Sequence, residues 1–316
     1  MRFSFCIFFF LFLITSNATC QDLDSSAFEN ISQRINDQTL LIKLNPSNSI
    51  AYSRRAFYKN KIEDYKGALE DYTKAIEIST KEPANYYYRG LVFCQLGQYE
   101  KGILDFTRTI VLRPDLSATY LDRGIAYSCV KKPDLALKDV TKYITANPED
   151  SHGYYNRGDI YEKTGNTEKA LIDFNKAISL DSTFNNAYVK RGHIYLRNKQ
   201  YSVAISDYSK VIEADSLDIQ NYFYRASAYR KAGEPDKAVA DYEKVITLFP
   251  NFDKAIFELA STFVELKNFE KALLHYNRYI SVNPKDRGAY ALRAEVFDAL
   301  GQKENAAKDR LKAKTK

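Results

Sequence analysis

Small and aromatic residues recur along most of the chain with one fixed spacing. A small residue stands every 34 residues, eight times in succession and without insertion or deletion: Ala56, Gly90, Gly124, Gly158, Gly192, Ala226, Ala260 and Ala294. Twelve residues after each of them stands another Ala or Gly, and four residues before it stands a Tyr in seven of the eight units. Self-similarity at a fixed period of this length is typical of repeat architectures.

Within each unit the apolar positions predict two helices. Tyr154, Gly158 and Tyr161 fall at i, i+4 and i+7, one face of a helix, and Ala170 and Phe174 start the same pattern again. Between the two helices a Gly recurs at one register, where a left-handed cap is expected: Gly97, Gly165, Gly233 and Gly301. Because one helix pair cannot bury its apolar surface alone, the pattern predicts an all-α solenoid of stacked pairs.

The unit pattern resembles the tetratricopeptide repeat. The resemblance rests on runs such as YYNRGDIY from Tyr154 to Tyr161, then Gly165, then KALIDFNKAI from Lys169 to Ile178. It covers residues 49–316 as eight units: 49–82, 83–116, 117–150, 151–184, 185–218, 219–252, 253–286 and 287–316. It implies a right-handed α-solenoid of helix–turn–helix units that binds protein or peptide partners without catalysis.

The first 20 residues have the composition of a targeting segment. Arg2 precedes an unbroken apolar run from Phe5 to Ile14, which is shorter than the roughly 20 residues that a membrane-spanning helix needs. Small and polar residues then lead to Cys20, as at a signal-peptide cleavage site. Residues 1–20 are therefore predicted to be a secretory signal, which places the mature chain in a secreted, periplasmic or other extracytoplasmic location.

Cys20 leaves a lipid anchor open as an alternative. A Cys directly after an apolar run resembles the acylated Cys of bacterial lipoproteins, although Asn17 and Thr19 stand where that motif prefers an aliphatic and a small residue. Residues 21–48 then form an N-terminal segment, in which 26–44 fit one helix that caps the open side of the first unit. No second apolar segment predicts a transmembrane helix.

A charged pair recurs at fixed places of the units. Seven units have Arg at the seventh place and seven have Asp at the twenty-third, and both are absent from one unit, which has Leu259 and His275. We expect a hydrogen-bonded ion pair between the two helices of each unit. The predicted pairs are Arg55–Asp71, Arg89–Asp105, Arg123–Asp139, Arg157–Asp173, Arg191–Asp207, Arg225–Asp241 and Arg293–Asp309. A role that is repeated seven times is structural rather than catalytic.

The first helices are predicted to line a concave binding groove. If the fourth, eighth and eleventh places pack inward, helical geometry turns the second, fifth, ninth and twelfth places toward the groove. The predicted peptide-binding residues run from apolar through acidic to aromatic and basic: Phe57, Tyr87, Leu91, Leu121, Ile125, Tyr155, Asp159, Glu162, Phe223, Arg230 and Phe257. The alternative is that they only line contacts between helices or contact the N-terminal segment.

The composition removes several other function classes. The net charge is +6, but Lys and Arg are spread through every unit, so nucleic-acid binding is not expected. With 3 His, 4 Cys and no phosphate-binding or nucleophile motif, no metal, cofactor or catalytic residue is predicted. Three hypotheses remain: a non-enzymatic extracytoplasmic interaction scaffold, a membrane-tethered lipoprotein in envelope complex assembly, and an enzyme on a repeat scaffold, for which no motif speaks.

Overall fold

A computed structural model describes residues 20–314, and all regular structure in that range is helical. The helices are α1 (Cys20–Leu44), α2 (Ser49–Lys61), α3 (Tyr65–Ile78), α4 (Pro83–Gln95), α5 (Tyr99–Leu112), α6 (Ser117–Cys129), α7 (Pro133–Ala146), α8 (Ser151–Lys163), α9 (Thr167–Leu180), α10 (Asn185–Arg197), α11 (Tyr201–Ala214), α12 (Ile219–Lys231), α13 (Pro235–Leu248), α14 (Asp253–Glu265), α15 (Phe269–Val282), α16 (Arg287–Ala299) and α17 (Lys303–Lys314). Apart from Cys20, where α1 begins, the predicted signal lies outside the described residues.

The chain divides into two compact halves, Met1–Gly165 and Asn166–Lys316, and the division falls within the predicted unit 151–184. In the N-terminal half α2 packs on α3, α4 on α5 and α6 on α7; in the C-terminal half the pairs are α10 with α11, α12 with α13, α14 with α15, and α16 with α17. The second helices α3, α5, α11, α13 and α15 also pack on the first helix that follows each of them. The predicted fold class, an all-α array of stacked helix pairs, is confirmed.

Small residues let the two helices of a pair approach closely. A Cβ added to Gly90 would lie 2.8 Å from Phe106 Cε1, and one added to Gly124 would lie 2.6 Å from Val140 Cγ2. Phe106 and Val140 stand at the twenty-fourth place, which is fully buried in seven units: Tyr72, Phe106, Val140, Phe174, Tyr208, Tyr242 and Tyr276. A larger residue at the eighth place would therefore displace this buried side chain.

The first helices are buried on more sides than the sequence pattern indicated. The residue at the third place is buried in all eight units, and so is the residue at the tenth place in seven, with Tyr58 as the exception. Gly153 shows the reason, because a Cβ there would lie 2.8 Å from Ile144 Cγ1 and 3.1 Å from Tyr143 Cδ1 of the preceding second helix. The aromatics of the eleventh place, predicted to pack inward, are mostly half-buried.

In six units an Arg joins the two helices of its pair through two parallel hydrogen bonds. Arg89 Nε donates to Asp105 Oδ2 at 2.7 Å, and Arg89 Nη2 donates to Asp105 Oδ1 at 2.8 Å. The same geometry recurs in Arg55–Asp71, Arg123–Asp139, Arg191–Asp207, Arg225–Asp241 and Arg293–Asp309. Arg157 and Asp173 lie in different halves, and their pairing stays a prediction.

The same Arg also reaches the preceding unit. Its Nη1 donates to a hydroxyl or amide oxygen 16 residues earlier: Arg55 to Thr39, Arg89 to Thr73, Arg123 to Thr107, Arg191 to Asn175, Arg225 to Ser209 and Arg293 to Asn277. Its guanidinium lies over rings of its own helix, as Arg123 does over Tyr120 at 5.8 Å and Tyr127 at 5.7 Å. Each such Arg therefore connects three helices.

The bond from Arg55 Nη1 to Thr39 Oγ1, 3.1 Å long, gives α1 the position of a second helix in an incomplete preceding unit. This agrees with the capping helix that the sequence indicated over 26–44, although α1 begins six residues earlier, at Cys20. At the other end α17 has only two buried residues, Ala306 and Asp309. Apart from Leu311, which is 66% exposed, its exposed side chains are mostly charged or polar, which suits a terminal helix of a solenoid.

One unit replaces the ion pair with apolar packing. Leu259 is fully buried, and the ring of Phe263 stacks on His275 with centroids 5.6 Å apart and planes inclined by 13°. Burial lowers the pKa of His275, so its neutral form is favoured against these rings. Sixteen residues before Leu259 stands Glu243. The six units with the Arg–Asp bond described above have a Thr, Ser or Asn at this place, whose oxygen accepts a hydrogen bond from the Arg.

The turn inside each pair uses one left-handed residue. The expected left-handed glycines are confirmed, with φ of 72° at Gly97, 80° at Gly165 and Gly233, and 73° at Gly301. The other four units place a non-glycine residue at the same register with φ between 57° and 62°: Glu63, Lys131, Lys199 and Lys267. The turn conformation is therefore imposed by the packed helices even where the residue type disfavours it.

Breaking one buried ion pair should lower stability. We expect Asp105→Asn to lower the free energy of unfolding by about 1–3 kcal/mol, since the Arg89 guanidinium would lose its charged partner in a half-buried site. Chemical denaturation of the full chain measures this. Glu77→Gln is the matched control, because Glu77 pairs with Lys74 at 3.0 Å on the exposed surface and should leave the curve unchanged. Equal curves for wild type and Asp105→Asn would contradict the structural role.

Candidate functional site

The first helices present a surface on the side away from their second helices, and we call it the first-helix face. In the N-terminal half Phe57 is 39% exposed and meets Tyr88 of the next unit edge to face, with ring centroids 6.1 Å apart. Tyr88 is 40% exposed and stacks on the buried ring of Tyr72 at 6.3 Å. Aromatic rings that are anchored on one side and exposed on the other are suited to bind an apolar side chain.

The next units of this half carry a half-buried acid on the same face. The hydroxyl of Tyr87 donates to Asp122 Oδ2 at 2.8 Å, across two units. Burial raises the pKa of Asp122 to about 6, and the hydrogen bond from Tyr87 opposes that rise only in part. Burial and the Asp122 charge together raise the pKa of Tyr87, so its hydroxyl stays protonated.

The other predicted binding residues of this half lie half-buried on the first helices α4, α6 and α8: Leu91, Leu121, Ile125, Tyr155, Asp159 and Glu162. Asp159 forms an ion pair with Lys163 at 2.6 Å, one turn further along α8. Burial, followed by the Asp159 charge, raises the pKa of Tyr155 to about 12. The predicted acidic patch is therefore partly neutralised by its own helix.

In the C-terminal half the predicted aromatic residues pack against one another. Phe223 lies 5.7 Å from Tyr242 and 5.3 Å from Phe252 between ring centroids, and Phe257 lies 5.0 Å from Tyr279. These contacts agree with the alternative that such residues line contacts between helices. All the same, both Phe223 and Phe257 keep part of their surface exposed.

Arg230, predicted as a basic residue of the groove, is bound by carboxylates of the next unit. Its Nη1 donates to Glu258, and its Nε donates to Glu265 Oε1 at 2.7 Å. The basic character predicted for this stretch is therefore offset by two carboxylates of the next first helix. The result is an ion-pair network across α12 and α14 rather than an anion-binding surface.

Sequence reasoning missed the sixth and thirteenth places of the units. They supply Tyr88, Asp122 and Glu258 at the sixth place and Glu265 at the thirteenth, each in contact with a predicted face residue of the preceding unit. A usable signal exists, because Tyr87–Asp122 and Arg230–Glu265 both join residues that are 35 positions apart. One repeat plus one residue brings neighbouring first helices into contact on this face.

Among residues 20–314, no three His, Cys, Asp or Glu side chains come together in a way that could hold a metal ion. No helix in the same range combines the length and the apolar character that crossing a bilayer requires.

Comparisons with known proteins agree with the repeat architecture. Sequence models of the tetratricopeptide repeat match residues 152–184, 189–251 and 229–296. No curated protein sequence matches the chain significantly. The matched segments include both the Arg–Asp units and the unit that lacks the pair.

Solved structures of low sequence identity share the fold. The C-terminal part of a repeat-containing protein from Cytophaga hutchinsonii is 21% identical with a TM-score of 0.63, covering 72% of this chain and 93% of that one. A tetratricopeptide repeat protein from Parabacteroides merdae is 20% identical with a TM-score of 0.55, covering 73% and 91%. MamA from Desulfovibrio magneticus is 20% identical with a TM-score of 0.52, covering 54% and 97%.

The half-buried Asp122 should make stability depend on pH. Its pKa is about 6 in the folded chain against 3.8 for an unperturbed Asp, so the folded state binds more protons between these values. The contribution of Asp122 to the free energy of unfolding should therefore fall as pH rises from about 4 to 6 and then level off. Asp122→Asn keeps an acceptor for the Tyr87 hydroxyl and removes the charge. We expect the variant to be more stable than wild type by about 1–3 kcal/mol at pH 7, with the difference vanishing near pH 4.

Denaturation curves of wild type and Asp122→Asn at pH 4, 5, 6 and 7 measure this difference. Asp115→Asn is the control, because Asp115 is exposed and forms only a surface ion pair with Arg113 at 3.6 Å. A constant difference across the pH range would show that Asp122 does not titrate as described.

Proposed function

We propose that this tetratricopeptide-repeat protein is a non-enzymatic scaffold that binds a protein or peptide segment through its first-helix faces, outside the cytosol. The protein-interaction role itself is supported by the repeats and by the repeat-protein neighbours. We further propose that the binding residues lie on the first-helix faces, that the protein acts outside the cytosol and that it catalyses no reaction. Nucleic acid is not a proposed partner, because the basic residues are spread through every unit.

The observation that carries the proposal is the partial exposure of anchored aromatic rings on this face. Phe57 and Tyr88 are each about two fifths exposed while their rings pack on other rings. Phe223 and Phe257 add half-buried rings in the C-terminal half. Rings that are held in place lose little conformational freedom on binding, so they contribute more of their buried area to affinity.

The test is a cross-linking pull-down from the native cells with the tagged full-length chain. We expect the triple variant Phe57→Ala, Phe223→Ala, Phe257→Ala to recover its main cross-linked partners at least fivefold less than wild type. The matched control is Leu104→Ala, Ile172→Ala, Leu274→Ala, because these side chains are 69%, 61% and 64% exposed on second helices. The control should recover the same partners as wild type.

Thermal unfolding of each variant separates binding from folding. If the triple variant unfolds early, Phe57→Ala alone replaces it, since that ring is the most exposed of the three. Equal recovery of every partner by wild type and by a folded face variant would contradict binding through this face.

The location rests on the first 20 residues, where an apolar run and small residues precede Cys20. The alternative proposal is a membrane-tethered lipoprotein that acts in envelope complex assembly. Its specific support is the position of Cys20, which follows that run after five small or polar residues.

Intact-mass spectrometry of the chain purified from its native cells distinguishes these proposals. A signal cut after Ala18 or Cys20 predicts the mass of an unmodified shorter chain, and release of the protein without detergent. A lipoprotein predicts a chain that begins at Cys20 and is heavier by the mass of acyl groups, and Cys20→Ser should abolish that addition. A full-length mass that retains residues 1–20 would overturn both.

A further inference from the structure

A cleft of about 520 Å³ opens between α1, α2 and α4 in the N-terminal half. Tyr72 of α3 lies at its base, and α1 forms one side because it takes the position of a second helix before the first complete unit. The residues that matter for its chemistry are Arg34, Gln38, Arg54, Phe57, Tyr58 and Tyr88.

Gln38 breaks the pattern of the array at this cleft. It stands one repeat before Tyr72, at the place that carries a fully buried aromatic or aliphatic side chain in the next seven units. Gln38 is only 8% exposed, and its Oε1 has no hydrogen-bond partner. A buried amide oxygen without a donor is unfavourable, so a ligand that brings an N–H group would satisfy it.

Two arginines give the cleft a positive charge. Arg34 and Arg54 are exposed, and neither forms an ion pair within residues 30–314, although Arg34 Nε donates to Asn30 Oδ1 at 3.4 Å. Arg55, the neighbour of Arg54, is by contrast occupied by Asp71. Guanidinium groups that are not paired internally bind carboxylates well and repel cationic ligands.

Aromatic rings form another part of the cleft wall. Phe57 contacts Tyr58 at 5.6 Å and Tyr88 at 6.1 Å between ring centroids, both edge to face. The exposed parts of Phe57 and Tyr88 are apolar surface next to the guanidinium groups. A ligand that fills the cleft must therefore carry an apolar group close to an anionic one.

We propose that this cleft binds an extended peptide segment in which an Asp or Glu is adjacent to an aromatic or large aliphatic residue. Arg34 and Arg54 bind the carboxylate, and Phe57 and Tyr88 contact the apolar side chain. The amide of Gln38, whose Oε1 is covered in the free chain, turns into the cleft and accepts a backbone N–H of the peptide. The inference rests on the proposed function and narrows it to one ligand class at one end of the array. A peptide meets all three requirements, because it carries backbone donors between its side chains.

The probe is an array of eight-residue peptides on a Gly-Ser background, each with one central pair. The pairs combine Asp, Glu, Lys, Arg or Ser with Phe, Tyr, Leu or Gly. Labelled full-length protein is applied, and the strongest peptides are then measured in solution by fluorescence anisotropy. We expect retention of the acidic–apolar pairs at least tenfold above the basic–apolar and acidic–Gly pairs.

Three variants locate the binding. Arg54→Glu should weaken acidic–apolar peptides at least tenfold, whereas Lys66→Glu, the same charge change at an exposed residue of α3 outside the cleft, should leave them unchanged. Gln38→Leu keeps the volume and removes the acceptor, so it should weaken binding about fivefold without lowering the melting temperature. A merely structural role of Gln38 would instead change stability and leave the affinity alone.

The outcomes separate this inference from the proposed function. If no acidic–apolar peptide binds, if basic peptides are preferred, or if folded Arg54→Glu binds as wild type does, the inference is wrong. If partners are lost from the Phe57/Phe223/Phe257 variant but are still recovered with Arg54→Glu, the proposed scaffold function stands and only the role of this cleft is rejected. Loss in both, with Lys66→Glu unaffected, supports both.

Discussion

The array depends on a buried, two-pronged bond between an Arg of each first helix and an Asp of its second helix. The carboxylates are almost fully buried, as Asp207 is at 1% exposure, so the charge must be matched within the fold. Arg191 donates two hydrogen bonds to Asp207 and a third to Asn175 of the preceding unit, and its guanidinium lies over the ring of Tyr188. Apolar packing brings helices together without fixing their angle or register, whereas this bond requires one geometry.

That geometry explains why the repeat length does not vary. Asp71 lies 16 residues after Arg55, and Thr39 lies 16 residues before it, so both contacts require a constant path through helix, turn and helix. One inserted residue within a helix would rotate everything beyond it by about 100° and move the Asp away from the guanidinium. The unit with Leu259 and His275 keeps the length because its neighbours fix it, although stacking of Phe263 replaces the charged bond.

On the first-helix face the fixed repeat length brings neighbouring first helices into contact with each other. Neighbouring first helices meet at an offset of 35 residues. This contact is a half-buried hydrogen bond between Tyr87 and Asp122 in one place and part of an ion-pair network in another. Where these internal contacts occur, little chemistry remains for a ligand. The cleft at α1 differs because the unit before it is incomplete, so a polar residue, two arginines and two rings meet there without a full set of internal partners.

The sequence by itself determined the repeating helix pairs, the left-handed turn and the Arg–Asp bond of six units, because each leaves a mark of fixed period in one chain. It assigned Phe57 and Tyr87 to the first-helix face but could not foresee that Tyr88 and Asp122 meet them there. Those contacts depend on how far one first helix is rotated against the next. That rotation is set when the helices pack, by buried third-place residues such as Asn85 and Gly153. The tertiary structure alone decided that Glu258 and Glu265 offset the charge of Arg230. It also decided that Gln38 is buried beside an open cleft, since burial and charge balance belong to the packed array and not to any single repeat.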